Sequence, residues 1–173
     1  MSVIHLISEN DLLLKTKLEP FVFESNSAKQ ISEDLIDSMI YYNGVGLAAN
    51  QIGINARVFS MIHEKNPLVL FNPEIISVSD EKIRMEEGCL SFKGLYPKVN
   101  RPVGVSIKFQ DVDNQPMIAN FIGFSARIVL HEYDHLNGIL FHDRTSKFDL
   151  SNAMKKRPIN LRKLRKKEKN NVS

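Results

Sequence analysis

Two histidines four residues apart are the feature of this sequence that points most directly to chemistry. His131 and His135 enclose Glu132 in the segment HEYDH, residues 131–135. If the segment is helical, positions i and i+4 share a face, so both imidazoles can bind one metal ion. Glu132 lies about 100° around the helix from His131, within reach of a water on the metal rather than of the metal itself. The spacing therefore predicts two metal ligands and a general base.

A third ligand is needed, because a catalytic site of the zinc type uses three protein ligands and keeps one position for water. The downstream candidates are His142, Asp143 and Asp149. The upstream candidate is Cys89, in the segment EGCLS at 87–91. Gly88 lets the backbone there approach another group closely, and a metal would hold the thiol deprotonated. A lone cysteine is also often a small buried hydrophobe.

The composition is that of one ordinary globular domain. Of 173 residues, 43% are hydrophobic and 25% charged, which supplies a core and argues against disorder. No apolar run approaches the roughly 20 residues needed to span a bilayer, and the first residues lack the pattern of a signal peptide. Cys89 is the single cysteine, so an internal disulfide is excluded. We expect a cytoplasmic monomer that does not bind membranes.

Charge is distributed unevenly along the chain. Residues 155–173 hold nine Lys or Arg and one acid, whereas positions 1–154 hold 14 basic and 19 acidic residues. The net charge of +3 therefore combines an acidic body with a strongly basic tail. Such a tail is either a solvated end or a surface that attracts RNA.

The elements that must position these residues follow from periodicity and turn signals. Apolar residues recur at helical spacing over 27–43, where Ser27 and Gln30 form a capping-box pattern, and over 124–136, where Asn137-Gly138 is a stop. Strands are predicted at 57–62, 68–71, 75–78, 103–109, 117–122 and 139–141, with Asn66-Pro67 and Asp113-Asn114 as turns. A weak helix from 145 should end at Pro158.

This order of elements predicts an α+β fold. Mostly antiparallel strands should pack around a central helix that carries the histidine motif, with a further helix near the N-terminus. We expect a catalytic domain over 1–150 and a basic tail over 151–173 that is partly helical or flexible.

Three segments together resemble the signature motifs of the peptide deformylase family. They are GVGLAANQ at 44–51, EGCLS at 87–91 and HEYDH at 131–135, and they stand in the family's order with similar separations. The resemblance covers most of residues 1–142. It implies removal of the formyl group from the N-terminal formyl-methionine of nascent polypeptides.

The resemblance also implies the roles of individual residues. Cys89, His131 and His135 would bind one divalent metal ion, Fe²⁺ in the cell, with Zn²⁺, Ni²⁺ or Co²⁺ as substitutes. A metal-bound water would attack the formyl carbon with Glu132 as general base and acid. The Gln51 side chain and the backbone N–H of Leu90 would bind the oxyanion.

Substrate contacts are expected in two places. The Gly44-Val45-Gly46 loop can admit a peptide backbone, because glycines remove side chains that would hold it away. Phe124 and Ile128 share a helix stripe with His131. They could form a slot for the methionine side chain, or they could simply belong to the core. Other residues expected to line the substrate site are Val45, Met85, Glu87 and Gly88. Arg127 would lie at the rim of this slot or in solvent.

Two departures from the family pattern stand out. Leu130 replaces the usual Gln before the first histidine, and Lys93 replaces the usual Pro two residues after the motif serine. Neither removes a ligand or the base. The resemblance further suggests that Arg101 pairs with Glu87 and so anchors the cysteine loop, although the sequence alone would not choose Arg101 over Arg84.

Two other functions remain open on the sequence. A peptidase that cuts internal peptide bonds would not need Cys89, and an RNA-associated protein would not need an intact Glu132. The basic tail, 155–173, is the feature that could contact ribosomal RNA.

Overall fold

A computed structural model describes residues 3–24 and 27–170. The helices are α1 (Ala28–Tyr41), α2 (Gly123–Leu136) and α3 (Lys147–Asn170). The strands are β1 (Gly46–Ala48), β2 (Val58–His63), β3 (Asn66–Val78), β4 (Lys82–Glu86), β5 (Lys98–Pro102), β6 (Gly104–Gln110) and β7 (Pro116–Ile122). Short 3-10 turns occupy Leu12–Lys15, Ala49–Ile52 and Phe141–Arg144.

The strands form two antiparallel sheets. Five of them pair in the order β1-β2-β3-β6-β7, and β4 and β5 form a separate hairpin. Helix α2 packs on the larger sheet, where Val129 and Leu136 join Phe59, Leu70 and Ile107 in the core. The predicted α+β fold with a central motif helix is confirmed.

The β2–β3 hairpin turns two residues earlier than predicted. Glu64 and Lys65 both have positive φ, 48° and 70°, as in the two-residue turns whose twist matches that of hairpin strands. Asn66-Pro67 is therefore not the turn but the start of β3, where Pro67 lies opposite Ile62. Ile62 bonds away from Pro67, because its N–H donates to Val45 O at 2.9 Å. The missing N–H of Pro67 therefore costs no hydrogen bond between these two residues.

The strands around the site differ most from the predictions. Segments 68–71 and 75–78 belong to one strand, β3, because two register shifts against β6 let it continue past Asn72, whose φ is 47°. Strands β4 and β5 were not predicted. In β4, Ile83 and Met85 alternate with charged residues, but the strand is only five residues long and every side chain in it is exposed. The strand predicted at 139–141 is wrong, because Phe141 begins a 3-10 turn and is buried there.

The predicted ends of α1 and α2 are largely correct. Ser27 Oγ accepts from the Gln30 N–H at 3.1 Å. The Gln30 side chain does not return to complete a capping box, because it donates to Asp34 Oδ1 at 2.9 Å. Gly138 follows α2 with φ 68°, as a C-terminal stop requires.

Helix α3 passes through Pro158 without ending, so the predicted break there is wrong. Contacts on both sides of the proline hold the helix to the body. Arg157 Nε donates to Lys93 O at 3.1 Å, and Asn160 Nδ2 donates to Gly94 O at 3.0 Å. The division of the chain at residue 150 stays a prediction. Over the described ranges, no helix combines the length and apolar character that a membrane span requires.

Candidate metal centre

Three predicted ligands converge on one point. A ligand atom of Cys89, one of His131 and one of His135 all lie within 4.8 Å of one another, and Cys89 Sγ is 3.3 Å from His135 Nε2. A tetrahedral ion with ordinary metal–sulfur and metal–nitrogen bonds would hold such atoms about 3.5 Å apart. The donor set and its spacing therefore fit a single divalent metal.

Different elements supply these ligands. His131 and His135 lie one turn apart on α2, with ring centroids 5.2 Å apart. Cys89 lies in the loop after β4, so the β4–β5 hairpin brings it to the helix. Asn50 Nδ2 donates to the carbonyl of His135 at 2.9 Å, which ties the 44–51 segment to the same turn of α2.

Glu87 connects the cysteine loop to α2. Its Oε1 accepts from Arg101 Nε at 2.7 Å, and its Oε2 accepts from Arg101 at 3.0 Å and lies 3.1 Å from Nδ1 of His131. Burial alone would raise the pKa of Glu87, but hydrogen bonds with His131 and Arg101 outweigh it and lower that pKa to about 2. Both carboxylate oxygens have protein partners, so Glu87 lines the site without a free acceptor.

The suggested Glu87–Arg101 pair is thus present. Arg101 also forms a second ion pair. Its NH1 group donates to Asp134 Oδ2 at 2.8 Å, so one buried guanidinium joins the cysteine loop to α2. Arg127 is buried, which excludes the alternative that its side chain lies in solvent. It donates to Glu87 Oε1 and to the carbonyl of Ile83, both at 2.5 Å.

Glu132 lies beside the ligands with a free oxygen. It is 4% exposed, and no described residue donates to its Oε2. Burial raises the pKa of Glu132 to about 7, although the charges of His131 and Arg101 act in the opposite direction. A carboxyl with a pKa near neutrality can both accept and return a proton.

The two histidines have opposite proton affinities in the metal-free chain. Burial would lower the pKa of His131, but hydrogen bonds with Cys89 and Glu87 raise it to about 10. Burial, together with the charges of His131 and Arg101, lowers the pKa of His135 well below its ordinary value. Because ligating imidazoles are neutral, metal binding would displace the His131 proton.

The two candidate oxyanion donors both lie beside Cys89. Gln51 Oε1 accepts from the Ala48 N–H at 2.9 Å, which turns Nε2 toward Cys89 Sγ and Ser91 Oγ, at 3.4 Å and 3.0 Å. Within the described ranges, the backbone N–H of Leu90 has no acceptor. The Leu90 N–H is therefore free to donate, whereas Gln51 Nε2 would exchange its contact with Cys89 or Ser91 for one with an oxyanion.

A cavity of about 330 Å³ opens onto Cys89, His131 and Glu132. Most of the predicted substrate residues line it, namely Gly44, Val45, Gly46, Glu87, Gly88, Phe124 and Ile128. Met85 does not. Glu86 takes its place, because successive side chains of a strand point to opposite faces.

Sequence reasoning missed Tyr96, Asn43 and Glu86 among the lining residues. The ring of Tyr96 covers Gly88, where an added Cβ would come within 2.7 Å of it. Gly88 in the sequence was the available signal for such a close neighbour. Nothing in the sequence pattern indicated that the neighbour is Tyr96.

Comparisons with known proteins agree with this geometry. A family model described as polypeptide deformylase matches residues 3–151. A peptide deformylase of Thermotoga sp. (strain RQ2) is 37% identical over 136 residues, which cover 79% of this chain and 83% of that protein. The crystal structure of a peptide deformylase from Legionella pneumophila superposes with a TM-score of 0.83 at 32% identity, covering 94% of this chain and 97% of that one. A Synechococcus elongatus peptide deformylase solved in complex with actinonin gives a TM-score of 0.83 at 33% identity, covering 88% and 86%.

Proposed function

This chain belongs to the peptide deformylase family, and from that premise we propose which of its residues remove the formyl group from N-terminal formyl-methionine. The family is metal-dependent, and the Cys89, His131 and His135 cluster could hold the ion. We assign these three residues as its ligands. This assignment rests on one sulfur and two imidazole nitrogens that all lie within 4.8 Å of one another.

The ion in the cell is proposed to be Fe²⁺, on family resemblance. A sulfur and two nitrogens also suit Zn²⁺, Ni²⁺ and Co²⁺. When bound, the ion acts as a Lewis acid that lowers the pKa of a water toward about 7.

Glu132 is proposed as the general base and acid. Its unpaired Oε2 can accept the proton of the attacking water. The same carboxyl can then give that proton to the departing α-amine, which leaves formate and a free N-terminus.

Gln51 and Leu90 are proposed to stabilise the oxyanion that forms at the formyl carbon. The Nε2 group of Gln51 and the N–H of Leu90 would donate to that oxygen. One donor of this kind is typically worth about 3–4 kcal/mol in the transition state.

The cavity is proposed to bind the methionine side chain and the start of the peptide. Phe124, Ile128 and Val45 offer apolar surface, and Gly44 and Gly46 allow the peptide backbone to approach. Glu87 and Gly88 also line this cavity.

Three further proposals concern the setting of the enzyme. The basic residues of 155–173 are proposed to contact ribosomal RNA, which would hold the enzyme near emerging chains. We also propose that the protein is cytoplasmic and monomeric. Size-exclusion chromatography with light scattering tests the monomer, and fractionation of cells that produce the chain tests the location.

The deciding experiment measures formate release from formyl-Met-peptide and from acetyl-Met-peptide by anaerobically prepared, iron-loaded protein. We expect release from the formyl peptide alone. Cleavage of an internal peptide bond would favour the peptidase alternative, and a Cys89→Ser variant that kept its full metal content would overturn the ligand set.

A further inference from the structure

We propose that helix α3 holds in place the turn that follows the cysteine motif, and that Arg157 and Asn160 are positioning residues for the metal centre. The inference rests on the proposed function, since it assigns a task within that site. It also gives the C-terminal helix a role separate from RNA binding.

The turn has a specific geometry. Leu95 N–H donates to Phe92 O at 3.2 Å, and Gly94 has φ 77°. A hydrogen-bonded turn with positive φ at its third residue is a type II turn, in which proline is common at the second position. Lys93 occupies that position here, where the family usually has proline. Its φ is therefore not restricted by a ring.

Helix α3 bonds to the carbonyl groups of both central residues of this turn. Arg157 Nε donates to the carbonyl of Lys93 at 3.1 Å, and Asn160 Nδ2 donates to the carbonyl of Gly94 at 3.0 Å. Leu161, on the same helix face, lies so close to Gly94 that a Cβ there would meet its Cγ at 3.0 Å. These contacts supply a restraint that proline would otherwise give.

The turn is linked directly to the metal ligand. Phe92 N–H donates to Cys89 O at 3.0 Å, so the turn begins where the cysteine motif ends. Phe92 and Leu95 are buried in one apolar cluster with Ala153 of α3, and Cys89 packs against that cluster. A shift of the turn would therefore move the Cys89 thiol and the Leu90 N–H relative to α2. Misplacement of reacting groups by about 1 Å can cost on the order of 100-fold in rate.

Asn160 isolates this effect better than Arg157 does. The guanidinium of Arg157 also pairs with Glu9, whereas the Asn160 side chain bonds to the turn alone among its described contacts. The test therefore uses Asn160→Ala first and Arg157→Lys second. Lysine keeps a charge for Glu9 but lacks the Nε donor that reaches Lys93 O.

Two readouts are measured on full-length protein. The first is kcat and KM on a short formyl-Met-peptide, and the second is the rate at which a chelator removes Co²⁺, followed by its thiolate absorption. We expect Asn160→Ala to lower kcat by about tenfold with little change in KM, and to speed Co²⁺ loss by a similar factor. Arg162→Ala, at an exposed position of the same helix, should match wild type in both.

Rescue distinguishes positioning from general damage. Lys93→Pro restricts the turn by itself, so adding it to Asn160→Ala should restore kcat and slow Co²⁺ loss again. Unchanged kcat and Co²⁺ loss in Asn160→Ala would overturn the proposal. Loss of both without rescue by Lys93→Pro would overturn it too, since the helix would then act only through overall stability. If wild type released no formate, the rates of Co²⁺ loss would still show whether Asn160→Ala loosens the metal site and whether Lys93→Pro restores it.

Discussion

Nδ1 of His131 lies 3.1 Å from Oε2 of Glu87, and this contact decides which nitrogen of the ring is left for Cys89 and a metal. The carboxylate is itself held by Arg101, which also reaches Asp134 on the same helix as His131. A ligand oriented in this way depends on a charge that never touches the metal.

Replacing Glu87 with Gln tests that dependence. The amide keeps the size of the side chain but removes its charge and turns an N–H toward Arg101 or His131. We expect metal affinity to fall by about 10- to 100-fold, measured by competition with a fluorescent chelator. Glu86→Gln, one residue earlier and exposed, is the matched control. Equal affinity in the two variants would contradict this role of Glu87.

Glu132→Gln should lose activity and gain stability at alkaline pH. The folded metal-free chain keeps the Glu132 proton up to a pKa of about 7, whereas the unfolded chain loses it near 4.5. Unfolding free energy therefore falls as pH rises through that window. The variant avoids a loss of roughly 3 kcal/mol at pH 8.

Urea unfolding of the chelated proteins at pH 5 and pH 8 measures this difference. Glu74→Gln, on the surface of β3, should track wild type at both pH values. Turnover of the metal-loaded Glu132→Gln protein should fall by at least about 100-fold while metal content is kept. Full turnover in this variant would rule out Glu132 as the base.

The role of Gln51 can be separated from its local packing. Gln51→Glu retains an acceptor for the Ala48 N–H but has no N–H for an oxyanion, and Gln51→Leu loses both. We expect kcat to fall by about 100- to 1,000-fold in both variants, with KM less affected. Steady-state kinetics on formyl-Met-peptide checks this. A loss in Gln51→Leu alone would show that Gln51 supports the loop rather than the transition state.

Gly46→Ala probes the close approach of β1 to the base. An added Cβ would run into Glu132 Oε1 and come within 2.9 Å of Ile128 Cγ2, so Glu132 must move. We expect kcat to drop by about 100-fold, as for a misplaced catalytic group, with metal content retained. Gly104→Ala in β6 is the control, because its nearest neighbour would lie 3.7 Å away. Similar activity in both variants would show that Glu132 tolerates displacement.

The basic tail is best tested by substitution rather than deletion, because Arg157 and Asn160 contact the turn at Lys93 and Gly94. Replacing Arg162, Lys163 and Lys166, all exposed, by Gln removes three positive charges and leaves those contacts intact. We expect weaker co-sedimentation with ribosomes, with the largest difference at low salt. Turnover of a short peptide should be unchanged. Ribosome binding equal to that of wild type at low salt would remove the RNA proposal.

The sequence by itself determined the parts of the site that are local. Four-residue spacing on a helix suffices to align His131 and His135, and Gly138 suffices to end that helix, because both depend on backbone geometry within one or two turns. The three motifs together also sufficed to identify the family.

Only the tertiary structure decided what lies between distant segments. The sequence left Cys89 as one candidate among several, and family resemblance was needed to choose it before the hairpin β4–β5 was known. It placed Arg127 at the rim or in solvent and ended the last helix at Pro158. Burial of Arg127 against Glu87 excludes the alternative in solvent, and bonds from α3 to the turn at 92–95 hold the helix on both sides of Pro158, since packing energies can exceed single-residue propensities.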